Sequence, residues 1–398
     1  MSYGRQSIDE EDIAAVVSVL RSDWLTTGPV VSAFENALSQ RIKSSYVAAC
    51  SSGTAGLHLA LLALGIGPGD TVVVPAVTFV ATANVVRYAG AEVVFADVDP
   101  DTGLMDTNHL EEVLNNIAPK KIRAIISVHL NGQCSDQPGI QNIAKRYGIK
   151  VIEDACHAIG TSYFSSNDWI PVGACRHSDI TVFSFHPVKT ITMGEGGAVA
   201  TNDRTIYEKI LSLRNHGLVH GENLFEHKDL AHDDHGNLNP WYYELQQLGF
   251  NYRASDIHCA LGLSQLSKLE KYMEHRHFLV NTYRDRFQKS SPFIRLLEIK
   301  KNCKPSWHIH PVLIDFKGLG ITRAAFMNEL RKRSIGCQVH YIPLYYHPYY
   351  RKIYGDQTLC GAEKYYQNTL TLPLHMNINR NDVDYIVETV LNVINKTR

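Results

Sequence analysis

The sequence predicts an α/β protein with a mostly parallel, doubly wound sheet and a smaller C-terminal α+β domain. Near-continuous apolar segments alternate with amphipathic segments from Tyr46 onward, as in parallel strands joined by helices. Hydrophobic residues make up 44% of the 398 residues, which is enough for a large core. A long helical pattern and then shorter elements follow, which indicates a second domain. We therefore expect a large domain over 23–260 and a small domain over 261–398.

The N-terminal segment, residues 1–22, predicts a helix that packs with the small domain. Ser7 and Glu10 have the spacing of a capping box. Ile13 and Leu20 belong to an apolar pattern with helical periodicity, which continues the helix beyond that box.

Strands and helices then alternate in chain order. We predict strands at YVAAC, TVVVP, AEVVFADVD, IRAIISVHL, KVIEDA and DITVFSF, and helices at TAGLHLALLAL, FVATANVVRYAG, TNHLEEVLNNI and IQNIAKRYG. Ligands of such sheets bind at the carboxyl ends of the strands. Three polar features of this sequence fall there: the turn at Ser52-Gly53-Thr54, Asp154 and Lys189.

The rest of the chain predicts a polar excursion and the small domain. Residues 218–244 carry His227, His232 and His235 among aspartates, and mixed loops of this kind are more often solvated than metal-binding. We therefore expect an exposed segment and no metal site. A long helix over ALGLSQLSKLEKYMEHRHFLVNTYRDRF follows, then a strand at HIHPVLIDF and a helix at RAAFMNELRKR.

Charge and cysteine content argue against several classes of function. The net charge is −1 with no basic run, which disfavours a nucleic-acid groove or a polybasic membrane anchor. No apolar stretch approaches the roughly 20 residues of a membrane span, and the N-terminus is too polar for a signal peptide. The eight cysteines form no CxxC pair, so we expect reduced thiols in a cytoplasmic protein.

A phosphate site is predicted where SSGTAGLHL opens a helix directly after a strand. Free N–H groups and the positive helix end can hold a phosphate there, although any strand-to-helix turn shares these features. The pattern is not a dinucleotide fingerprint, because the nearest candidate, GIGPGD, has the wrong spacing and precedes a strand.

Asp154 ends a buried strand in VIEDACHAIG. A buried carboxylate needs a cationic partner or strong hydrogen bonds, and either an arginine or the protonated ring nitrogen of a cofactor would serve. His157 follows three residues later at the same edge of the sheet, where a packing role and a functional role are both open.

Lys189 follows a buried strand in SFHPVKTITMGEGGAV. A lysine in such a loop is usually solvated, but a buried amine with a lowered pKa would be a nucleophile for a Schiff base. The glycines after it would let a flat ring approach the backbone. Phe79 in VTFVATANVV can cover such a ring, or it can simply pack in the core.

A phosphate cradle, an acid for a ring nitrogen, an aromatic cover and a lysine nucleophile together predict a site for pyridoxal 5′-phosphate (PLP). From end to end the chain resembles the DegT/StrS type of PLP-dependent nucleotide-sugar aminotransferases, which have the fold-type I architecture. The segments that carry the resemblance are SDWLTTGP, CSSGTAGLHLAL, PAVTFVATAN, EDACHAIG, FSFHPVKTITMGEGGAV, GFNYRASDIHCALGLSQL and QVHYIPLY.

The resemblance implies roles position by position. Lys189 matches the Schiff-base lysine, and Asp154 matches the acid paired with the pyridine nitrogen. His157 matches the group near the ring oxygen, and Phe79 matches the aromatic that stacks on the ring. The implied phosphate contacts are backbone and hydroxyl groups, with an asparagine donated by the second subunit of a homodimer: Gly53, Thr54, Ala55, Ser184 and Asn251.

The resemblance also implies a pocket for the nucleotide sugar, and its residues are scattered along the chain. They are Tyr3, Asp23, Trp24, Leu25, Thr26, Gly53, Ser184, Asn251, Arg253, Gln338, Val339, His340 and Tyr341. The excursion over 218–244 is longer than the family pattern. The resemblance therefore does not define the rim of this pocket.

A finer similarity, in FHPVK, GEGG, ALGLSQL and VHY, is to members that act in pseudaminic acid biosynthesis. It implies L-glutamate as amino donor and a UDP-linked 4-keto-6-deoxy sugar as acceptor. Open alternatives are the D-xylo epimer or a dTDP sugar, a fold-type I desulfurase or decarboxylase, and a PLP-binding regulator. We find no helix-turn-helix extension and no basic face for a regulator. A sugar dehydratase relative would carry histidine where this chain has Lys189.

Overall fold

A computed structural model describes residues 1–116, 122–221, 224–288 and 290–396. Ile117, the last residue of one predicted helix, and residues 222–223 of the excursion lie outside the described residues. Among the helices of the described ranges, none is both long and apolar enough to cross a membrane.

Seven described strands form the central sheet: β1 (Tyr46–Cys50), β2 (Thr71–Pro75), β3 (Glu92–Ala96), β4 (Ile122–Val128), β5 (Lys150–Asp154), β8 (Ile180–Ser184) and β9 (Gly197–Thr201). Their spatial order is β1-β9-β8-β5-β4-β2-β3. The pairs β2–β3, β2–β4, β4–β5 and β5–β8 are parallel, whereas β9 runs antiparallel to both β1 and β8. The mostly parallel sheet confirms the predicted fold class.

Helices cover both faces of this sheet: α2 (Pro29–Ile42), α3 (Gly53–Ala63), α4 (Ala81–Tyr88), α5 (Thr107–Asn116), α6 (Gln137–Tyr147) and α7 (Arg204–Arg214). The alternation of side chains along β1 shows the two layers. Ala48 and Cys50 pack in the core that contains α3 and α4, while Val47 and Ala49 pack in the core that contains α2. Burial on both faces explains why these strands read as continuous apolar runs.

The N-terminal helix, α1 (Glu10–Leu20), packs along α9 (Asp256–Ser267). Its capping box is formed by Asp9 and Asp12, so the prediction of Ser7 and Glu10 was wrong. The N–H of Asp12 donates to Asp9, and the N–H of Asp9 donates to Asp12, each over 3.1 Å. Helix α9 crosses the boundary expected at 260, and the three-part domain division stays a prediction.

The packed face of α1 centres on a carboxylate and not on the apolar pattern. Asp12 is fully buried, and it accepts hydrogen bonds of 2.6 Å from Ser264 and from Gln265. Ile13 and Leu20 are 47% and 55% exposed. A helical period therefore located the helix but did not identify the face it buries.

The long helix expected after residue 260 is two helices, α9 and α10 (Leu269–Phe287). The chain turns at Lys268, whose ammonium group lies 3.0 Å from Asp12. The buried carboxylate and this lysine thus fix the joint between the two helices, a contact between segments far apart in sequence.

The small C-terminal sheet has the antiparallel order β12-β14-β15 and consists of β12 (Ile294–Leu296), β14 (His310–Ile314) and β15 (Thr369–Leu372). The strand at HIHPVLIDF and the helix at RAAFMNELRKR are confirmed by β14 and α12. The helices of this part of the chain are α11 (Phe316–Leu319), α12 (Arg323–Lys332), α13 (Pro348–Tyr354), α14 (Cys360–Asn368) and α15 (Arg380–Lys396).

The excursion is closed at its base by a short ladder between β10 (Leu218–Val219) and β11 (Glu244–Leu245), and it contains α8 (Lys228–Ala231). The buried carboxylate of Glu244 accepts backbone N–H groups of Glu226 and His227, each over 2.8 Å. Within the described residues, no three His, Cys, Asp or Glu side chains are grouped to hold a metal ion. A further small sheet, not predicted, joins β6 (Ser162–Ser165), β7 (Asp168–Pro171) and β13 (Cys303–Lys304).

Candidate active site

A cavity of about 590 Å³ lies at the carboxyl ends of the parallel strands. It collects most of the residues that the sequence pointed to, from both ends of the chain: Tyr3, Gly53, Thr54, Phe79, Asp154, His157, Ser184, Lys189, Gln338, Val339, His340 and Tyr341. The topology explains this convergence, because β5, β8 and the turns after β1 and β2 end at one edge of the sheet.

The N-terminus of α3 forms one wall of the cavity. Ser52 caps the helix, and its hydroxyl accepts the N–H of Ala55 over 3.1 Å. Within the described residues, the N–H groups of Gly53 and Thr54 have no protein partner. A Cβ at position 53 would lie 2.8 Å from Cβ of Ser184, so only glycine lets this turn approach that serine. Two free donors, a hydroxyl and a helix N-terminus suit a phosphate group.

Gly197 is required for close backbone packing, and the role predicted for the glycines after Lys189, the approach of a ring, stays a prediction. A Cβ there would lie 2.4 Å from the carbonyl oxygen of Ser52. Glycine at this position therefore lets β9 pack against the turn that follows β1.

Asp154 is buried at the end of β5, and its carboxylate is held by hydrogen bonds. Oδ2 accepts the hydroxyl of Thr82 over 2.8 Å, and Oδ1 accepts the N–H of Cys156 over 3.2 Å. The hydroxyl of Thr78 lies 2.8 Å from that of Thr82. No arginine or lysine of the described residues forms an ion pair with Asp154, so the carboxylate is available to a cationic group in the cavity.

Lys189 lies after β8 and lines the same cavity, and its backbone N–H donates to the carbonyl of His186 over 2.8 Å. Burial lowers the pKa of its amine, and the nearby Cys156 and Asp154 only partly oppose this shift. Desolvation thus outweighs the neighbouring acids and favours the neutral amine, which is the nucleophilic form.

His157 has both ring nitrogens engaged. Nδ1 lies 3.4 Å from the N–H of Asn131, and Nε2 lies 3.2 Å from the hydroxyl of Tyr341. Burial, and then the positive charge of Lys189, lowers the pKa of this imidazole well below its usual range. His157 is therefore neutral near pH 7.

Four residues of this site were missed by the sequence analysis. Thr78 and Thr82 support Asp154, Asn131 supports His157, and the ring of His308 lies 4.5 Å from that of His157 on the cavity wall. Thr78 lies in the turn before α4 and Thr82 in its first turn, and this spacing of two hydroxyl residues was the available signal. Asn131 and His308 carried no local signal.

Phe79 is 54% exposed at the cavity mouth, with its ring centroid 6.0 Å from that of Tyr341. Phe79 therefore does not pack in the core, which was the alternative to covering a flat ligand. Its stacking on a cofactor ring stays a prediction.

The other side of the cavity is built from the N-terminal and C-terminal segments. The ring of Tyr3 lies 5.3 Å from that of His340, and the carbonyl of Tyr3 accepts the N–H of Leu374 over 3.0 Å. Nδ1 of His340 lies 2.8 Å from the hydroxyl of Thr371. Burial lowers the pKa of His340 to about 3, so this wall presents neutral hydrogen-bonding groups.

The remaining predicted site residues do not line the cavity of their own chain in the part that the structure describes: Asp23, Trp24, Leu25, Thr26, Ala55, Asn251 and Arg253. Asn251 is exposed, and Arg253 donates to the side chain of Asn215 over 2.6 Å. Thr26 pairs with Ser255 beside them. Ala55 is instead buried in α3, with its N–H bonded to Ser52. The roles of all these residues stay predictions.

Comparison with known proteins gives consistent results. Residues 6–391 match the model of the DegT/DnrJ/EryC1/StrS aminotransferase family. The chain is 35% identical to a UDP-4-amino-4,6-dideoxy-N-acetyl-β-L-altrosamine transaminase of Campylobacter jejuni, over 100% of this chain and 98% of that protein.

Two solved structures are similar over nearly the whole chain. A putative sugar aminotransferase from Streptococcus pneumoniae, in its PMP form, superimposes with a TM-score of 0.89 at 29% identity, with 100% of both chains covered. PseC of Helicobacter pylori, an aminotransferase of pseudaminic acid biosynthesis, superimposes with a TM-score of 0.87 at 30% identity, with 99% of both chains covered.

Proposed function

The chain belongs to the DegT/DnrJ/EryC1/StrS aminotransferase family and is a PLP-dependent sugar aminotransferase, and we propose that its acceptor is a 4-keto-6-deoxy UDP-N-acetylhexosamine. The amino group comes from L-glutamate and is delivered to C4. The product of this proposal is UDP-4-amino-4,6-dideoxy-N-acetyl-β-L-altrosamine.

The cavity residues fit the cofactor. The free N–H groups of Gly53 and Thr54, with the hydroxyl of Ser184, are suited to its phosphate. Asp154 has no ion-pair partner among the described residues, and its carboxylate suits a protonated ring nitrogen. When bound, PLP supplies the electron sink of a transamination.

Lys189 is the residue we assign to covalent attachment and to proton transfer. Its lowered pKa leaves a larger neutral fraction near pH 7, so Nζ can take up a proton from the α-carbon of the donor and release it again. Asp154 would stabilise the positive charge of the protonated ring nitrogen when the cofactor is bound. The reaction then proceeds in two half-reactions at one site, first with glutamate and then with the keto sugar.

The substrate proposal rests on one observation, the relative of 35% identity that covers the whole chain and is named for this product. The cavity supports a weaker statement, namely a hydroxyl-rich ligand. Tyr3, Gln338, His340 and Tyr341 line one wall, and neutral donors of this kind can read sugar hydroxyls. A mismatched hydroxyl would leave one of them unpaired, at a cost of about 1–3 kcal/mol.

A homodimer with shared sites is part of the same proposal. Asn251 is exposed and outside the cavity of its own chain, which suits a residue donated to a partner's site. In a twofold dimer both sites would be completed reciprocally. We also propose a cytoplasmic enzyme, because all eight cysteines are unpaired thiols, as is typical of a reducing compartment.

The test is a side-by-side comparison of kcat/KM for the L-arabino and D-xylo epimers of the 4-keto UDP sugar, with glutamate and PLP, and with the product stereochemistry assigned by NMR. We expect preference for the L-arabino epimer. Preference for the D-xylo epimer or for a dTDP sugar would overturn the substrate and leave the aminotransferase activity intact.

A further inference from the structure

The hydrogen bonds around His157 determine which of its nitrogens carries the proton. The backbone N–H of Asn131 faces Nδ1 at 3.4 Å, and a backbone N–H can only donate. A proton on Nδ1 would place two donors against each other. The neutral imidazole therefore carries its hydrogen on Nε2.

This tautomer also sets the direction of the next hydrogen bond. Nε2 lies 3.2 Å from the hydroxyl oxygen of Tyr341, so the N–H of His157 donates and the phenol oxygen accepts. Tyr341 consequently does not donate its own hydroxyl hydrogen to His157. No other partner of this hydroxyl occurs within the described ranges, and Tyr341 lines the cavity.

The phenol is suited to remain a donor. Burial, then the neighbouring Tyr3 and Asp154, raises the pKa of Tyr341 above its ordinary value. Its hydroxyl is therefore protonated at any working pH. Because no described residue accepts its hydrogen, a ligand in the cavity can be the acceptor.

The position of Tyr341 indicates which ligand receives this hydrogen bond. Tyr341 ends the cavity-lining segment Gln338 to Tyr341. Its ring lies 4.8 Å from that of His340, which lies 5.3 Å from the ring of Tyr3. Tyr341 also has His157 and Asp154 as neighbours, and both of these residues are assigned to the cofactor. Tyr341 therefore lies where the residues assigned to the cofactor meet those assigned to the sugar, and the reacting carbon of the second substrate must come to this junction.

We propose that Tyr341 is a fixed hydrogen-bond donor to the oxygen at the reacting carbon of the keto sugar, with its direction set by Asn131 through His157. This inference rests on the proposed function, since it assigns a residue to the sugar half-reaction. A donor held in this direction polarises the carbonyl that the amine must attack. Because the donor is already oriented, it does not have to reorganise during the reaction.

The test separates the two half-reactions by single-turnover absorbance of the holoenzyme. Tyr341→Phe should slow the half-reaction with the keto sugar roughly 10- to 100-fold. The half-reaction with glutamate and the visible spectrum of the bound cofactor should change less than about twofold. Tyr385→Phe, which removes an exposed hydroxyl bonded to the carbonyl of Arg333, is the matched control.

A second readout is independent of activity. In ¹⁵N-histidine-labelled protein, the imidazole signals lost in His157→Gln identify His157, and they should report a hydrogen on Nε2 and none on Nδ1. Equal slowing of both half-reactions, an unchanged sugar half-reaction, or a hydrogen on Nδ1 would each overturn the inference. If the wild-type enzyme does not turn over the keto sugar, the proposed function fails, and the ¹⁵N spectrum still decides the direction of the hydrogen bond.

Discussion

The hydroxyl of Thr82 donates a 2.8 Å hydrogen bond to Oδ2 of Asp154 and so joins the first turn of α4 to the end of β5. Because this hydrogen is committed to the carboxylate, the hydroxyl of Thr78 must donate to Thr82. The two threonines thus form a directed chain that holds the acid in place.

Removing the hydrogen bond from Thr82 to Asp154 should lower the affinity for the cofactor without changing the shape of the site. Thr82→Val leaves Oδ2 with one donor fewer, and a hydrogen bond to a charged group contributes about 1.5–3 kcal/mol. We expect cofactor affinity to fall roughly tenfold or more, measured by titration of the apoenzyme with PLP. Thr82→Ser keeps the hydroxyl and should restore most of the affinity; equal loss in both variants would contradict this role.

Lys189 should be the point of covalent attachment. Reduction of the holoenzyme with borohydride should label the peptide that contains Lys189, the only lysine between Lys150 and Lys209. Lys189→Ala should abolish turnover, while phosphate contacts can retain some cofactor. The control is Lys150→Ala, which removes a surface lysine paired with Asp179. A label on another peptide would show that the assignment is wrong.

The lowered pKa of Lys189 predicts a pH dependence. The neutral amine is the reactive form, so the rate of aldehyde capture rises with pH through the pKa and is constant above it. Since burial lowers that pKa, the midpoint should lie below the ordinary lysine value of about 10.4. The measurement is the rate at which the apoenzyme captures pyridoxal between pH 6 and pH 11. A midpoint at or above the ordinary value would mean that burial does not control this amine.

A shared-site dimer predicts complementation between two inactive variants. When Lys189→Ala is mixed with Asn251→Ala, one site of each hybrid dimer regains both intact residues. Random exchange should then restore up to about one quarter of the wild-type activity. Lys189→Ala mixed with Asp154→Asn should restore none, because both residues belong to the same subunit's site. A fully active monomer in ultracentrifugation would rule out the shared site.

Asp12 should be a large single contributor to stability. It is fully buried and holds Lys268, whose side chain is 9% exposed, together with Ser264 and Gln265. Asp12→Ala leaves that lysine without its buried partner and should lower the free energy of unfolding by about 3–5 kcal/mol. Glu11→Ala removes an exposed carboxylate 3.4 Å from the same lysine and should cost less than about 1 kcal/mol. Urea unfolding compares the two, and equal destabilisation would contradict the argument from burial.

The sequence by itself determined the alternation of strands and helices, the mostly parallel sheet and the edge at which the site lies. These features depend on local periodicity and on apolar runs, which are visible in consecutive residues of the sequence. The turn at Gly53, the acid at Asp154 and the amine at Lys189 were found for the same reason, because each lies at or shortly after the carboxyl end of a strand.

Only the tertiary structure decided how these groups are held. Thr82 and Asp154 are 72 residues apart, His157 and Tyr341 are 184 apart, and Asp12 and Lys268 are 256 apart. The joint between α9 and α10 and the tautomer of His157 both follow from such contacts. Hydrogen-bond direction and desolvation depend on where distant segments meet, and no local pattern of residue types encodes that meeting point.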